Sequence, residues 1–271
     1  MNLASRRSLL NWLADRLILE PTTEPIETED RQRHVISSTI GEFELWSIGQ
    51  LAQEQPVQHL VVLKFPGTGG RAERVRQHPA ECWSDVAATI YAVNPPGYGR
   101  SPGTARVNHM APVADAAFQY VTSKHPKTPL LVVGNSLGCL PALYLAARQR
   151  VCGVYLRNPA VVHQLIRQRW IYNWWNAGLA RWLARSLPHE LDAYVNAAQA
   201  SAPCLLVTSG DDKLVPRRFQ DQLAANYCGP LRQFVIRDAA HHDSIPDDQR
   251  LSYFAELDWL RQRLQTNGAE H

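Results

Sequence analysis

Leu130-Leu-Val-Val-Gly-Asn-Ser-Leu-Gly-Cys139 is a short apolar run that ends in Gly-x-Ser-x-Gly and passes at once into the helix-forming stretch Leu140-Pro-Ala-Leu-Tyr-Leu-Ala-Ala147. A β-rich run, a glycine-flanked serine and a helix in direct succession describe a nucleophile elbow, a sharp turn that lifts one hydroxyl clear of a sheet. Ser136 is that serine. Gly134 and Gly138 flank it because a Cβ at either place would crowd the neighbouring strand or helix in so tight a turn. Five-residue matches of this kind arise by chance, so the flanking strand and helix carry the weight.

The surrounding sequence repeats the strand-to-helix rhythm. His59-Leu-Val-Val-Leu-Lys-Phe65 and Ala87-Ala-Thr-Ile-Tyr-Ala-Val93 read as buried strands, and Gly153-Val-Tyr-Leu156, Pro203-Cys-Leu-Leu-Val-Thr208 and Leu231-Arg-Gln-Phe-Val-Ile236 as further strands. Helical stretches fall around 71–82, 111–125, 137–150, 216–227 and 247–265. Short apolar strands alternating with helices call for a mostly parallel sheet covered on both faces, with its sites at the C-terminal strand ends. Ahead of this, 34–39 and 42–47 surround Gly41 and read as a leading hairpin. Between Asn158 and Ala200 the rhythm breaks into a long, Trp- and Arg-rich, largely helical segment without an evident strand. The organisation expected is one α/β domain over 33–271 with a helical insertion at about 158–200.

Residues 1–32 precede that domain. Leu9, Leu10, Leu13, Leu17 and Ile18 recur at helical spacing, while Asn11, Asp15 and Arg16 interrupt the apolar run, which argues for an amphipathic helix rather than a secretory signal. Packing on the domain is the leading reading, and weak contact with a membrane surface the alternative. The stretch 20–31, rich in Pro, Thr and Glu, reads as an extended connector.

The chain of 271 residues has a formal net charge of +3, with 45% hydrophobic and 20% charged residues. That is ordinary for a soluble globular protein, and no Lys/Arg block is dense enough to argue for nucleic acid. Five cysteines (Cys82, Cys139, Cys152, Cys204, Cys228) are odd in number and lack a Cys-x-x-Cys pair. They read as reduced thiols of a cytoplasmic protein. Oligomeric state is not legible.

A serine hydroxyl near neutral pH is a poor nucleophile and needs a base, and the base needs an orienting group. The strand ending at Gly210 runs into Asp211-Asp-Lys-Leu-Val-Pro216, and the next runs into Asp238-Ala-Ala-His-His-Asp243. Carboxylates and imidazoles therefore fall on successive loops at the same sheet edge, in the chain order Ser, Asp, His. A metal site at His241, His242 and Asp243 is disfavoured because no further ligands follow at a recognisable spacing.

From about Arg33 onward the chain resembles the α/β-hydrolase superfamily, most closely its small bacterial esterase and serine-aminopeptidase-like branch. Phe65-Pro-Gly-Thr-Gly-Gly70, Pro95-Pro-Gly-Tyr-Gly-Arg-Ser101, Gly134-Asn-Ser-Leu-Gly138, Gly210-Asp-Asp-Lys-Leu-Val-Pro216 and Ala240-His-His-Asp243 carry the likeness. The resemblance implies the α/β-hydrolase fold and a serine hydrolase of carboxylic esters that needs no cofactor and no metal. It assigns Ser136 as nucleophile, Asp212 over Asp211 as the acid, and His241 over His242 as the base. The Leu137 N–H becomes one oxyanion donor. The second falls on the loop after Phe65, where Pro66-Gly67 replaces the usual His-Gly; the match gives Thr68, with Gly69 as rival. A Gly-rich phosphate loop is disfavoured there because the Gly-Lys-Ser/Thr end is missing.

The resemblance also implies that 158–200 is a cap over the serine. Trp170, Tyr172, Trp174, Trp175 and Trp182 are then candidates for an apolar substrate wall, although aromatic residues at helical spacing more often simply pack. Glu190 and Asp192 are candidates for holding a substrate amine, against the commoner role of solvated carboxylates. The expected partner is a small-molecule acyl ester. Alternatives are an aminopeptidase or thioesterase of the same fold, or a binding module without turnover.

Overall fold

The computed structural model describes residue 15 and residues 18–49, 58–171 and 187–268, with backbone only at 167–171 and 265–268. Eight strands form one sheet in the order β1-β2-β4-β3-β5-β6-β7-β8. They are β1 Arg31–Ser38, β2 Gly41–Ile48, β3 Gln58–Phe65, β4 Val86–Asn94, β5 Leu130–Asn135, β6 Gly153–Arg157, β7 Cys204–Ser209 and β8 Leu231–Ile236. β1 and β2 form the antiparallel hairpin, β2 pairs antiparallel with β4, and every later pairing is parallel. This is the mostly parallel sheet expected from the alternation of strands and helices, in the arrangement that the resemblance to α/β-hydrolases implies.

Helices among the described residues include α1 Met110–Lys124, α2 Cys139–Arg148, α3 Val162–Ile171, α4 Ala193–Ala197, α5 Arg217–Asn226 and α6 Arg250–Gly268. On one face, α1 turns Ala111, Val113, Ala114, Ala117 and Val121 inward, and α2 is buried from Cys139 to Ala146. The small side chains of α1 let it lie close to α2 and the strands. Leu140 and Leu143 are at most 2% exposed, and burying each stabilises the fold by about 2 kcal/mol. On the other face Leu257, Leu260 and Leu264 of α6 cover Leu131, Val133, Leu205 and Val207 together with Trp83.

The stretch 71–82 differs from the helix expected there. Only two short 3₁₀ turns form, Ala72–Arg74 and Ala80–Cys82. Pro79 removes an amide donor just before the last turn of the stretch. At its start, the Ala72 N–H is taken by Asn94 Oδ1 at 2.7 Å. A buried polar cluster holds this region instead: Glu73 accepts from Arg71 and from Asn94, and Asn94 also donates to Glu44 at 3.1 Å. Glu44 in turn accepts from Trp46, from the Arg100 N–H and from Arg33. These charges are tolerable inside because each is paired and hydrogen-bonded.

Of the proposed N-terminal helix, residues 1–14, 16 and 17 lie outside the described residues. Ile18 and Leu19 do pack on the core, and Asp15 accepts from the Val107 N–H at 3.0 Å. The following connector lies along the loops after β3 and β4. The Leu19 carbonyl accepts from Gly69 N–H at 3.0 Å and from the Tyr98 hydroxyl, and the Thr22 and Glu24 carbonyls accept from Arg71 at 3.0 and 2.9 Å. All five cysteines are free, with Cys139, Cys152 and Cys204 buried. Among the described residues no helix is long and apolar enough to cross a membrane.

Candidate active site

Parallel pairing aligns the C-terminal ends of β3, β5, β6, β7 and β8: Phe65 lies beside Gly134, Asn135 beside Arg157, and Ser209 beside Ile236. The loops that follow these strands therefore open on one edge of the sheet.

At the end of β5 the backbone turns from strand into a 3₁₀ turn, Ser136–Gly138, and then into α2. Ser136 takes a φ of 49°, a left-handed conformation that a serine adopts only under constraint. The constraint is steric. A Cβ on Gly138 would sit 2.0 Å from the Phe65 carbonyl oxygen, and one on Gly134 would sit 2.5 Å from Cys139 Cα. The elbow is thus packed against β3 at backbone distance, and Ser136 is left partly exposed at the rim.

His241 Nε2 lies 2.9 Å from Ser136 Oγ, and its Nδ1 lies 2.6 Å from Asp212 Oδ2. The three side chains form an unbroken line from hydroxyl through imidazole to carboxylate. Asp212 is 5% exposed and His241 8%, so little water competes for these bonds. The other Asp212 oxygen accepts from the Leu214 and Val215 N–H groups at 2.9 and 2.8 Å, fixing the carboxylate with Oδ2 toward the ring. Gln220, on α5, adds a longer bond to Oδ2 at 3.4 Å. Asp211 and His242 are both exposed. The His242 ring meets the His241 ring edge-on at 4.7 Å and takes no part in the line.

The loop after β3 turns back tightly, with Gly70 N–H donating to the Gly67 carbonyl at 2.9 Å. Gly67 faces the nucleophile so closely that a Cβ there would sit 3.2 Å from Ser136 Cβ. The Gly69 N–H donates to the Leu19 carbonyl at 3.0 Å. The Thr68 hydroxyl donates outward to the Ile18 carbonyl at 3.1 Å. Leu137 is buried behind the serine at the start of the turn.

One contributor escaped the sequence reading. Asn158, just after β6, has φ 46° and is 1% exposed. Its Nδ2 donates to the His241 carbonyl at 2.7 Å and to Ser209 Oγ at 3.0 Å, while Oδ1 accepts from the Ser209 N–H at 2.8 Å. It ties the loop that carries the imidazole to the ends of β6 and β7. Asn is among the few residues that enter this backbone region readily, and that preference is the only local signal in the sequence.

Of the proposed aromatic wall, Tyr172, Trp174, Trp175 and Trp182 lie outside the described residues, as does the side chain of Trp170. At the far end of the insertion, Asp192 caps α4, accepting from the Tyr194 and Val195 N–H groups at 2.9 and 3.3 Å. One of its two oxygens is thereby engaged, whereas Glu190 is exposed. Among the described residues no group of three or more His, Cys, Asp or Glu side chains is placed to hold a metal ion.

Among the described residues, hollows lie on two sides of the elbow. The smaller, about 40 Å³, lies among Leu19, Tyr98, Met110 and Leu137. The larger, about 370 Å³, lies between the loop after β3 and the ends of β5 and β6, with Gly67 and Asn135 in its wall.

A family model described as alpha/beta hydrolase fold matches residues 65–187, which span the loop after β3 and the elbow. Among solved structures, the chain is similar to an esterase of Pyrococcus furiosus at 14% identity and TM-score 0.64, covering 92% of this chain and 98% of that one. It is similar to an acetyl xylan esterase of a Paenibacillus species at 15% identity and TM-score 0.64, covering 95% and 93%. An acylaminoacyl peptidase of Pyrococcus horikoshii matches at 13% identity and TM-score 0.61, covering 88% of this chain and 42% of that one. In sequence, the chain is 27% identical to an uncharacterized protein of Mycobacterium tuberculosis over 149 residues, 54% of this chain and 50% of the other. The chain spans about half the length of the curated relatives it matches.

Proposed function

The chain has the α/β-hydrolase fold, and on that premise we propose that it is a serine hydrolase that cleaves carboxylic esters through an acyl-enzyme on Ser136. The observation that carries this reading is the line from Ser136 Oγ through His241 to Asp212, with gaps of 2.9 and 2.6 Å. Both are within the reach that proton transfer requires.

Ser136 Oγ attacks the acyl carbon while His241 Nε2 takes its proton. Asp212 keeps the Nδ1 proton on the inner side of the ring, so that Nε2 presents its lone pair to the serine, and it stabilises the imidazolium that forms. The Leu137 and Thr68 N–H groups receive the charge that develops on the carbonyl oxygen. Fixed donors stabilise that charge without reorganising, and each is worth about 10²–10³ in rate. The imidazolium then protonates the leaving alcohol, and water repeats the sequence on the acyl-enzyme. No step calls for a cofactor.

An ester is preferred to an aminoacyl amide because neither carboxylate that an amine could have used is set aside for it: Asp192 caps α4 through one oxygen and Glu190 is exposed. The names of the fold neighbours do not choose between them, since both esterases and a peptidase share this sheet. The reading is tested with 4-nitrophenyl esters of rising acyl length beside matched anilides and thioesters, with Ser136→Ala as control. Ester turnover that disappears in Ser136→Ala is expected. Turnover that persists in Ser136→Ala, or anilides cleaved faster than esters, overturns it.

A further inference from the structure

The larger hollow beside Ser136 has an unusual wall. Lys64, Arg71, Arg74, Arg76 and Arg157 line it, and among the described residues no Asp or Glu does. Arg71 is committed to Glu73, but the others meet neutral partners or solvent. The Lys64 ammonium donates to the carbonyls of Arg76, at 2.7 Å, and of His78. It thereby pins the 76–78 segment against β3 and shapes the floor. Arg157 donates to the Asp243 carbonyl, while Arg74 and Arg76 are exposed at the mouth.

The crowding of positive charge is felt by its neighbours. Burial, and then the charges of Lys64 and Arg157, push the His78 imidazole down to about 3. Burial also lowers Lys64 to about 8, with Glu81 opposing and Arg31 assisting. Such a hollow favours an anion, because an incoming negative charge meets several donors that no carboxylate in the wall already neutralises.

We propose that this hollow recognises an anionic group, a carboxylate or phosphate, on the acyl portion of the ester cleaved at Ser136. The acyl side follows from the geometry. The leaving alcohol must stand where His241 Nε2 can protonate it, which leaves to the acyl chain the side of the serine bordered by Gly67 and Asn135. The loop after β3 and Asn135, one residue from the nucleophile, form the wall of the hollow. An acyl chain that passes Gly67, where a Cβ would sit 3.2 Å from Ser136 Cβ, enters the hollow. A volume of about 370 Å³ accommodates a short chain with a charged end. Arg74 and Arg157 are the guanidinium groups suited to grip it in the two-pronged manner that carboxylates and phosphates accept.

This proposal rests on the hydrolase reading above, and its test separates the two. The rate constant kcat/KM is measured for 4-nitrophenyl hemiglutarate and for 4-nitrophenyl pentanoate, which share acyl length but differ in the terminal charge. A preference of about tenfold for the hemiglutarate at low salt is expected, shrinking as salt rises. The preference falls toward parity in the double variant Arg74→Gln/Arg157→Gln. It stays at the parent value in Lys124→Gln, at the opposite end of the sheet. A parent enzyme that favours the pentanoate, or a preference unaltered in the double variant, overturns the pocket while leaving the hydrolase intact. If neither ester is turned over, the hydrolase reading fails and calorimetry decides the pocket. Glutarate and inorganic phosphate are then titrated into Ser136→Ala. Saturable binding of either, weakened about tenfold or more in the added double variant, supports the site, and the tighter of the two identifies carboxylate or phosphate as its ligand. Absence of binding by both overturns it.

Discussion

The Asn158 side-chain amide donates to the His241 carbonyl oxygen at 2.7 Å, so a residue that follows β6 sets the height of the imidazole above the serine. Through Ser209 the same side chain also holds the end of β7, from which the Asp212 loop departs. Asn158 touches no reacting atom; it acts by positioning His241.

Replacing Asn158 with Ala is expected to lower kcat by up to about 10²-fold, because small displacements of a catalytic group cost rate steeply. KM is expected to change little, since nothing in the substrate hollow is altered. Steady-state kinetics on a 4-nitrophenyl ester checks the split. A rise in KM at constant kcat would assign Asn158 to binding instead.

Gly138 is the tightest backbone contact of the elbow. Gly138→Ala places its methyl 2.0 Å from the Phe65 carbonyl oxygen, and no side chain can yield to relieve it. A loss of about 3 kcal/mol or more is expected, read as a lower urea midpoint or as failure to accumulate folded protein. Ala146→Gly, in the same buried stretch after the elbow, is the comparison. It costs about 1 kcal/mol, and equal losses in the two variants would contradict the steric account.

The buried cluster beneath the loop after β3 has a pH signature. Burial alone would raise the Glu73 carboxyl, but the hydrogen bonds from Arg71 and Asn94 outweigh it and hold the group below its ordinary 4.5. A lowered folded pKa stabilises fully above the unfolded value, and that stability is lost as pH falls through the folded one. Glu73→Gln lacks this contribution at every pH. Its deficit in urea stability should therefore be widest near neutrality and should shrink below about 4.5. A deficit that is constant from pH 7 to pH 3 would remove Glu73 as the source.

The central strands β3 to β7 were legible because they are short apolar runs closed by Pro, Gly or Asn and are buried almost throughout. The stretch 71–82 misled because what shapes it is remote: Asn94 and Glu44 draw Ala72, Glu73 and Arg71 into a polar cluster that overrides local helical preference. In the same way nothing near Asn158 announces Ser209 and His241, which lie 51 and 83 positions away. The choice of Asp212 over Asp211 came from a likeness in loop sequence. The physical difference is burial and two backbone donors, which a pair of adjacent aspartates does not reveal. The cationic hollow was equally hidden, since Lys64, Arg74 and Arg157 come from separate segments.

The most direct test of the account is covalent. A fluorophosphonate probe reacts with a serine only when a neighbouring base activates it. Mass spectrometry of the digested protein is expected to find the label on the peptide containing Ser136, at a rate that falls sharply in His241→Ala and to nothing in Ser136→Ala. Folded protein that fails to take the label, or takes it equally in His241→Ala, would contradict Ser136 as an activated nucleophile.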